Sequence, residues 1–185
     1  FEVEIPSFPE AAGSNVWRTG DNQESDTFKF LCKAAALPAS NITPVEIPFR
    51  GRILKVAGDR TFDTWQITVL NDENFLIRNA FESWMQGISK HSNATGATDP
   101  GSYMTYALVH QLGRGADAGQ SSTTASTSAS GTQITPLKTY TFFDIFPTTM
   151  SAIDLSYENT DAIEEYTVDF QVQYWEPGAY TKDPA

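Results

Sequence analysis

Positive charge is scarce in this sequence: 12 Lys and Arg stand against 23 Asp and Glu, a formal net charge of −11 and a pI near 4.4. Wrapping a nucleic acid needs a basic surface that neutralises phosphates, so this balance argues against that function. It suits a surface that repels DNA, and it also keeps a chain soluble. Cysteine is nearly absent. Cys32 has no second thiol to pair with, which fits assembly in a reducing compartment. Its apolar neighbours predict a buried, inert thiol. No apolar run approaches the ~20 residues of a membrane-spanning helix, and no signal peptide is expected ahead of the first strand. The chain does not open with Met, so a natural N-terminal segment is expected ahead of Phe1.

Chemistry-bearing motifs are missing too. The two histidines, His91 and His110, have no Cys-x-x-Cys, His-x-x-x-His or acidic loop beside them, so no metal site is expected. His91 follows a helix, where the carbonyl end favours it. There is no Gly-x-Ser-x-Gly elbow and no Walker loop. Gly113-Arg114-Gly115 lacks the further glycines and the lysine of a phosphate cradle. Asn41-Ile42-Thr43 and Asn93-Ala94-Thr95 match glycosylation sequons, read here as chance. A pair of carboxylates could serve a glycosidase, yet nothing singles out one pair among 23. The expectation is no catalytic residue, no cofactor and no metal.

What is present is a foldable chain. With 185 residues, 40% apolar and 12% aromatic, it is long enough for one domain with its own core. Residues 1–176 are expected to form that domain, with 177–185 as a polar tail. Phe1–Ile5 alternates apolar and acidic residues and reads as a strand. Residues 10–25 are polar and glycine-containing, a loop. Phe28–Ala36 is extended up to Leu37-Pro38. Ala39–Thr43 is expected to turn the chain, and Val45–Val56 to run back as a proline-bearing edge strand. Together they would make a projecting hairpin whose edge must be blunted or paired with another chain. Arg50, Arg52 and Lys55 place much of the scarce positive charge there.

Val56-Ala57-Gly58-Asp59-Arg60 is expected to end one strand and turn into the next. From Phe62 to Leu70 the alternation puts Trp65, Ile67 and Val69 on one face. Asn71-Asp72-Glu73 offers a side-chain cap to a following helix. Ile77, Phe81, Trp84 and Ile88 recur at spacings of four, three and four and line one helical face. Lys90–Ser102 is a loop and Tyr103–Leu112 a strand. Residues 113–133, rich in Ser, Thr, Ala and Gly, read as a flexible insertion.

The last quarter predicts three strands. The Phe142-Phe143 doublet in Lys138–Phe146 hints at a bulge, and Pro147–Met150 is expected to turn. Ile153, Leu155 and Tyr157 alternate. Tyr166, Val168, Phe170, Val172 and Tyr174 face one way, with an acidic outer face opposite. The sum is a mainly β fold: about seven strands in antiparallel sheets forming a sandwich or partial barrel, with one helix on its flank.

Three blocks carry a family resemblance: Phe28–Pro38 (FKFLCKAAALP), Val56–Glu73 (VAGDRTFDTWQITVLNDE) and Tyr166–Glu176 (YTVDFQVQYWE). In order and spacing they resemble the tail tube protein of contractile-tailed bacteriophages. With the helix they cover roughly half the chain. The resemblance implies a two-sheet fold closed into hexameric rings, stacked into a hollow tube inside a contractile sheath. The implied partners are further copies of the chain, the sheath protein, a baseplate or tube initiator and a tail terminator, with DNA only passing through. The implied location is the virion, assembled in the host cytoplasm, and the implied role is structural, not enzymatic.

On that reading Ala39, Ser40, Asn41, Ile42 and Thr43 at the expected hairpin tip contact other copies, together with Arg50, Arg52, Asp59 and Arg60. For Asp59-Arg60 a plain capped turn accounts for the residues equally well. Glu165 and Asp169 are candidates to line the channel, and the insertion 113–133 is expected to point outward. Two competing functions share the residue pattern. One is a tube subunit of a type VI secretion or extracellular contractile injection system, moving proteins instead of a genome. The other is a soluble, monomeric β-sandwich that binds sugars on an exposed aromatic platform.

Overall fold

The computed structural model describes residues 1–6, 9, 28–29, 31–113, 136–153 and 163–178. The expected loop 10–25, most of the insertion 113–133, Leu155 and Tyr157 of the expected strand, and the end of the tail lie outside them. Nine strands and one long helix are found among the described residues: β1 (Glu2–Glu4), β2 (Cys32–Ala35), β3 (Ser40–Phe49), β4 (Arg52–Phe62), β5 (Trp65–Leu70), α1 (Leu76–Ile88), β6 (Thr105–Leu112), β7 (Pro136–Met150), β8 (Glu165–Gln171) and β9 (Tyr174–Pro177).

Seven strands form one sheet in the order β1-β6-β7-β8-β5-β2, with β9 also on β7. All the pairings are antiparallel. β7 gives this sheet its two layers. Its first ten residues pair with β6 and β9, and Phe146–Met150 pair with β8. Between them the register shifts and Asp144 takes φ 52°. This is the bulge that the Phe142-Phe143 doublet announces, and it bends the strand from one layer into the other. The expected turn at Pro147–Met150 is therefore absent; the chain stays extended, with Pro147 opposite Phe170 beside a second register shift. Proline is tolerated at such a bulge because no regular ladder bond is demanded of it.

The layers meet on aromatic rings. Trp65 of β5 stacks on Phe142 of β7 at 4.7 Å and 8°, and Phe170 of β8 lies 5.3 Å from Trp65. Phe81 and Trp84 of α1 close over Phe170 at 5.7 and 6.0 Å. The alternation of Trp65, Ile67 and Val69 and the helical spacing of Ile77, Phe81 and Trp84 both end in full burial. The Trp84 indole donates to the Tyr103 carbonyl at 2.8 Å, so its buried N–H is satisfied.

Three local expectations need correction. Asn71-Asp72-Glu73 does not cap α1, because the helix begins at Leu76 with Phe75 at its cap and no side-chain cap bond. Those residues lie too far upstream. The Asn71 amide donates instead to Glu164 at 2.8 Å, and Asp72 lends its carbonyl to Phe75 N–H. Phe28, Lys29 and Leu31 are helical, so the extended segment shrinks to β2. The final amphipathic run also breaks: β8 stops at Gln171, and β9 crosses to pair with the first half of β7. Tyr174 is consequently 39% exposed, stacked on Phe143 at 4.6 Å.

Candidate assembly interface

Among the described residues β3 and β4 pair only with each other, as a two-stranded ribbon outside the main sheet. Its turn is Arg50-Gly51, both residues at positive φ (47° and 79°). That is the sign pattern of a type I′ hairpin turn, whose twist matches the flanking strands and which favours glycine at its second position. The tip thus lies at Arg50-Gly51 and not at Ala39–Thr43, which forms the foot. There Asp63 N–H donates to the Ala39 carbonyl at 3.1 Å, and the Asn41 amide donates to the Asp63 carboxylate. Nor does Val56–Arg60 turn the chain. It continues β4 through a bulge opposite Thr43, where a Cβ on Gly58 would come within 2.5 Å of the Thr43 carbonyl oxygen.

The register sorts the ribbon into two unlike faces. On one, Val45 opposes Val56, Ile47 opposes Leu54 and Phe49 opposes Arg52. The five apolar side chains of this face are 44 to 66% exposed, with Phe49 the most open. On the other face Glu46 and Lys55 form an ion pair at 3.4 Å between Pro44–Ala57 and Pro48–Ile53. An isolated two-stranded ribbon is marginal in water. Full burial of each large apolar side chain is worth ~1.5–3 kcal/mol, so this face is a reservoir of association energy that the described residues of its own chain leave untapped.

Charge is divided unevenly as well. Of the chain's 12 cations and 23 carboxylates, Arg50, Arg52, Lys55 and Arg60 against Glu46 and Asp59 are in the ribbon. The ribbon is net positive on a strongly negative body. Arg50 lies over the Phe49 ring at 5.5 Å, a cation–π contact at the tip. Arg60 is near the foot, where it lines a cleft with Ser40, Phe62 and Trp175. The structure therefore brings Arg50 and Arg52 together at one end and Ser40 and Arg60 at the other. Asn41, Ile42, Thr43 and Asp59 are exposed along the lower ribbon.

Sequence reasoning missed the apolar face itself. Its alternation at Val45, Ile47 and Phe49 is visible, but in a sequence alternation signals burial in the chain's own core. Only the lack of a partner strand or helix among the described residues reveals a face left open.

Glu165 and Asp169 are on the outer face of β8. Lys33 of β2 forms an ion pair with Glu165, so this face is less uniformly acidic than its strand alone. The Gln66 amide donates to the Asp169 carboxylate at 2.8 Å. No group of three metal-ligating side chains occurs among the described residues. His110 is tied to Thr139 at 2.9 Å and stands 3.8 Å from Glu4. The Cys32 thiol is buried, which pushes its pKa up to about 12 and makes it a poor nucleophile.

The profile of the family described as phage tail tube protein matches residues 1–177. Tail tube protein gp19 of Enterobacteria phage T4 is 29% identical over 165 residues, spanning 89% of this chain and 91% of that protein. In fold, the chain is similar to a protein in the tube-terminating cap of the anti-feeding prophage, with a TM-score of 0.55, 13% identity and 80% of each chain covered. A chain in the sheath–tube complex of an extracellular contractile injection system aligns with a TM-score of 0.51 at 12% identity, over 80% of this chain and 81% of that one. Matched along nearly its whole length, the chain belongs to the tail tube protein family of contractile-tailed bacteriophages, structural components of the virion.

Proposed function

We propose that this protein is the repeating, non-enzymatic subunit of an inner tail tube, closed into hexameric rings that stack around a DNA-conducting channel. The observation that carries the reading is the ribbon. Its apolar face has no partner among the described residues, and a second copy supplies one. Sheet edges at β1 and β2 add further sites for pairing between copies, since an open edge in a lone particle is an aggregation hazard. Sheath, baseplate initiator and terminator bind the outside and the ends. Assembly takes place in the host cytoplasm, where the single thiol stays reduced.

Glu165 and Asp169 face the channel in this scheme. DNA passing a negative wall gains nothing from counterion release and is repelled at short range, so it slides without sticking. Electron microscopy of the purified chain tests the assembly: cylinders or ring stacks are expected. A monodisperse small particle at high concentration refutes it. Replacing both carboxylates with lysine should leave tubes that retain DNA at low salt. Unchanged DNA release would remove these two residues from the channel wall.

A further inference from the structure

The ribbon's foot meets β9 in an open cleft of about 390 Å³, inside the range of roughly 300–1,000 Å³ at which clefts hold organic groups. Ser40, Arg60 and Phe62 line one side, and Tyr174, Trp175 and Glu176 the other. The wall is aromatic and braced. Phe62 meets Trp175 edge-on at 6.3 Å, and Tyr140 supports Trp175 from behind at 5.8 Å. Glu176 is exposed and has no ion pair among the described residues. At the ribbon's other end Phe49 is 66% exposed beneath the Arg50 guanidinium, and neither Arg50 nor Arg52 has an ion pair among the described residues.

We propose that the Phe49-Arg50 tip of one copy seats in this cleft of another copy, with the Phe49 ring against Trp175 and Phe62 and the Arg50 guanidinium toward Glu176. The inference rests on the reading of the ribbon as an assembly contact and names the receptor for its tip. Three observations favour a second copy as the occupant. The ribbon is ten residues long on β3, about 33 Å at the usual rise per residue, so a tip cannot reach its own foot. Ribbon and body carry opposite net charge. The most exposed ring in the ribbon is also the one at its end. Arg60 offsets Glu176 within the cleft, so ring packing supplies most of the attraction and the charge pair supplies direction.

A tip-to-foot contact is heterologous: each copy gives its tip to the next and receives one from the last. Such contacts propagate as an open series unless the rotation happens to close. The ribbon's length then sets the order of the step between successive copies.

The test uses full-length chains with Arg50→Cys or Glu176→Cys. The buried Cys32 stays out of the chemistry. After assembly and mild oxidation, a mixture of the two single variants is expected to give a covalent dimer. A chain carrying both substitutions should give a ladder longer than six chains. Polymer that depends on the ribbon yet never forms this cross-link overturns the tip-in-cleft contact alone. Polymer that persists after residues 45–56 are replaced by an Asn-Gly turn overturns the assembly reading, and this inference with it. Should Arg50→Cys block assembly, charge reversal decides. Arg50→Glu and Glu176→Arg are each expected to lower polymer yield about tenfold, the loss of one charge-assisted contact. Combining them in one chain should restore it; a double variant no better than the singles overturns the contact.

Discussion

Replacing Ile47 and Leu54 together with threonine separates what the ribbon does for its own chain from what it does between chains. The two residues oppose each other on the apolar face and are 46 and 58% exposed in the isolated subunit. About half of each side chain is therefore left for the proposed contact between copies to bury. At ~1.5–3 kcal/mol for a full burial, the pair forfeits ~2 kcal/mol per contact. That is roughly a 30-fold loss in association constant. Inside the subunit the cost is small, because threonine is β-branched and suits a strand, and neither Ile47 nor Leu54 belongs to the buried core. A surface change of this kind costs under about 0.5 kcal/mol, or under about 2 °C in Tm for a chain of this size. Sedimentation across a concentration series should show the critical concentration for polymer rising about 30-fold. A thermal melt of dilute subunit should barely move. The opposite pattern, a melt lowered by 5 °C or more with polymerisation unchanged, would show that this face packs within its own chain and would refute the argument.

Three further outcomes follow from single sites. Gly51→Val puts a β-branched residue at φ 79°, a strain of order 1–3 kcal/mol. It should cut polymer yield while leaving near-UV circular dichroism of the core intact. Trp65→Ala empties the stack between Phe142 and Phe170 and should cost ~3–5 kcal/mol in chemical denaturation. The Glu4 pKa is held below its ordinary value by the neighbouring His110 imidazole and by Lys29, against desolvation. Its contribution is present above the unfolded value near 4.5 and disappears as pH falls through the lower folded value. Glu4→Gln should therefore flatten the acid limb of stability below pH 4.5, read from denaturant midpoints across a pH series.

Elements with one strong period were legible in the sequence. Trp65, Ile67 and Val69 alternate because one face of β5 is buried, and Ile77, Phe81 and Trp84 follow the helical repeat because one face of α1 is. The mainly β class with a flanking helix followed from these and from the family resemblance. Turn positions were less legible. Ala39–Thr43 looks like a turn from its small polar residues, whereas the Arg50-Gly51 turn rests on a single glycine between two charged residues. The Gly58 bulge looks like a turn for the same reason: a glycine marks a special backbone position without saying which kind. At β8–β9 the alternation runs straight through a bend, since Tyr174 is apolar enough to suit either face. The proposed interface was the least legible, because an apolar stripe bound for another molecule has the same pattern as one bound for the chain's own interior.

The continuous run of β7 through both layers has a mechanical consequence. A force applied to one layer reaches the other along covalent backbone, so the layers cannot slide past each other as two stacked plates would. Under tension the weak places among the described residues are the short flanking strands β1, β2 and β9, each held by a single neighbour in the ladder. Pulled from its ends, the subunit should first peel these strands away and yield at the joint between the layers only last.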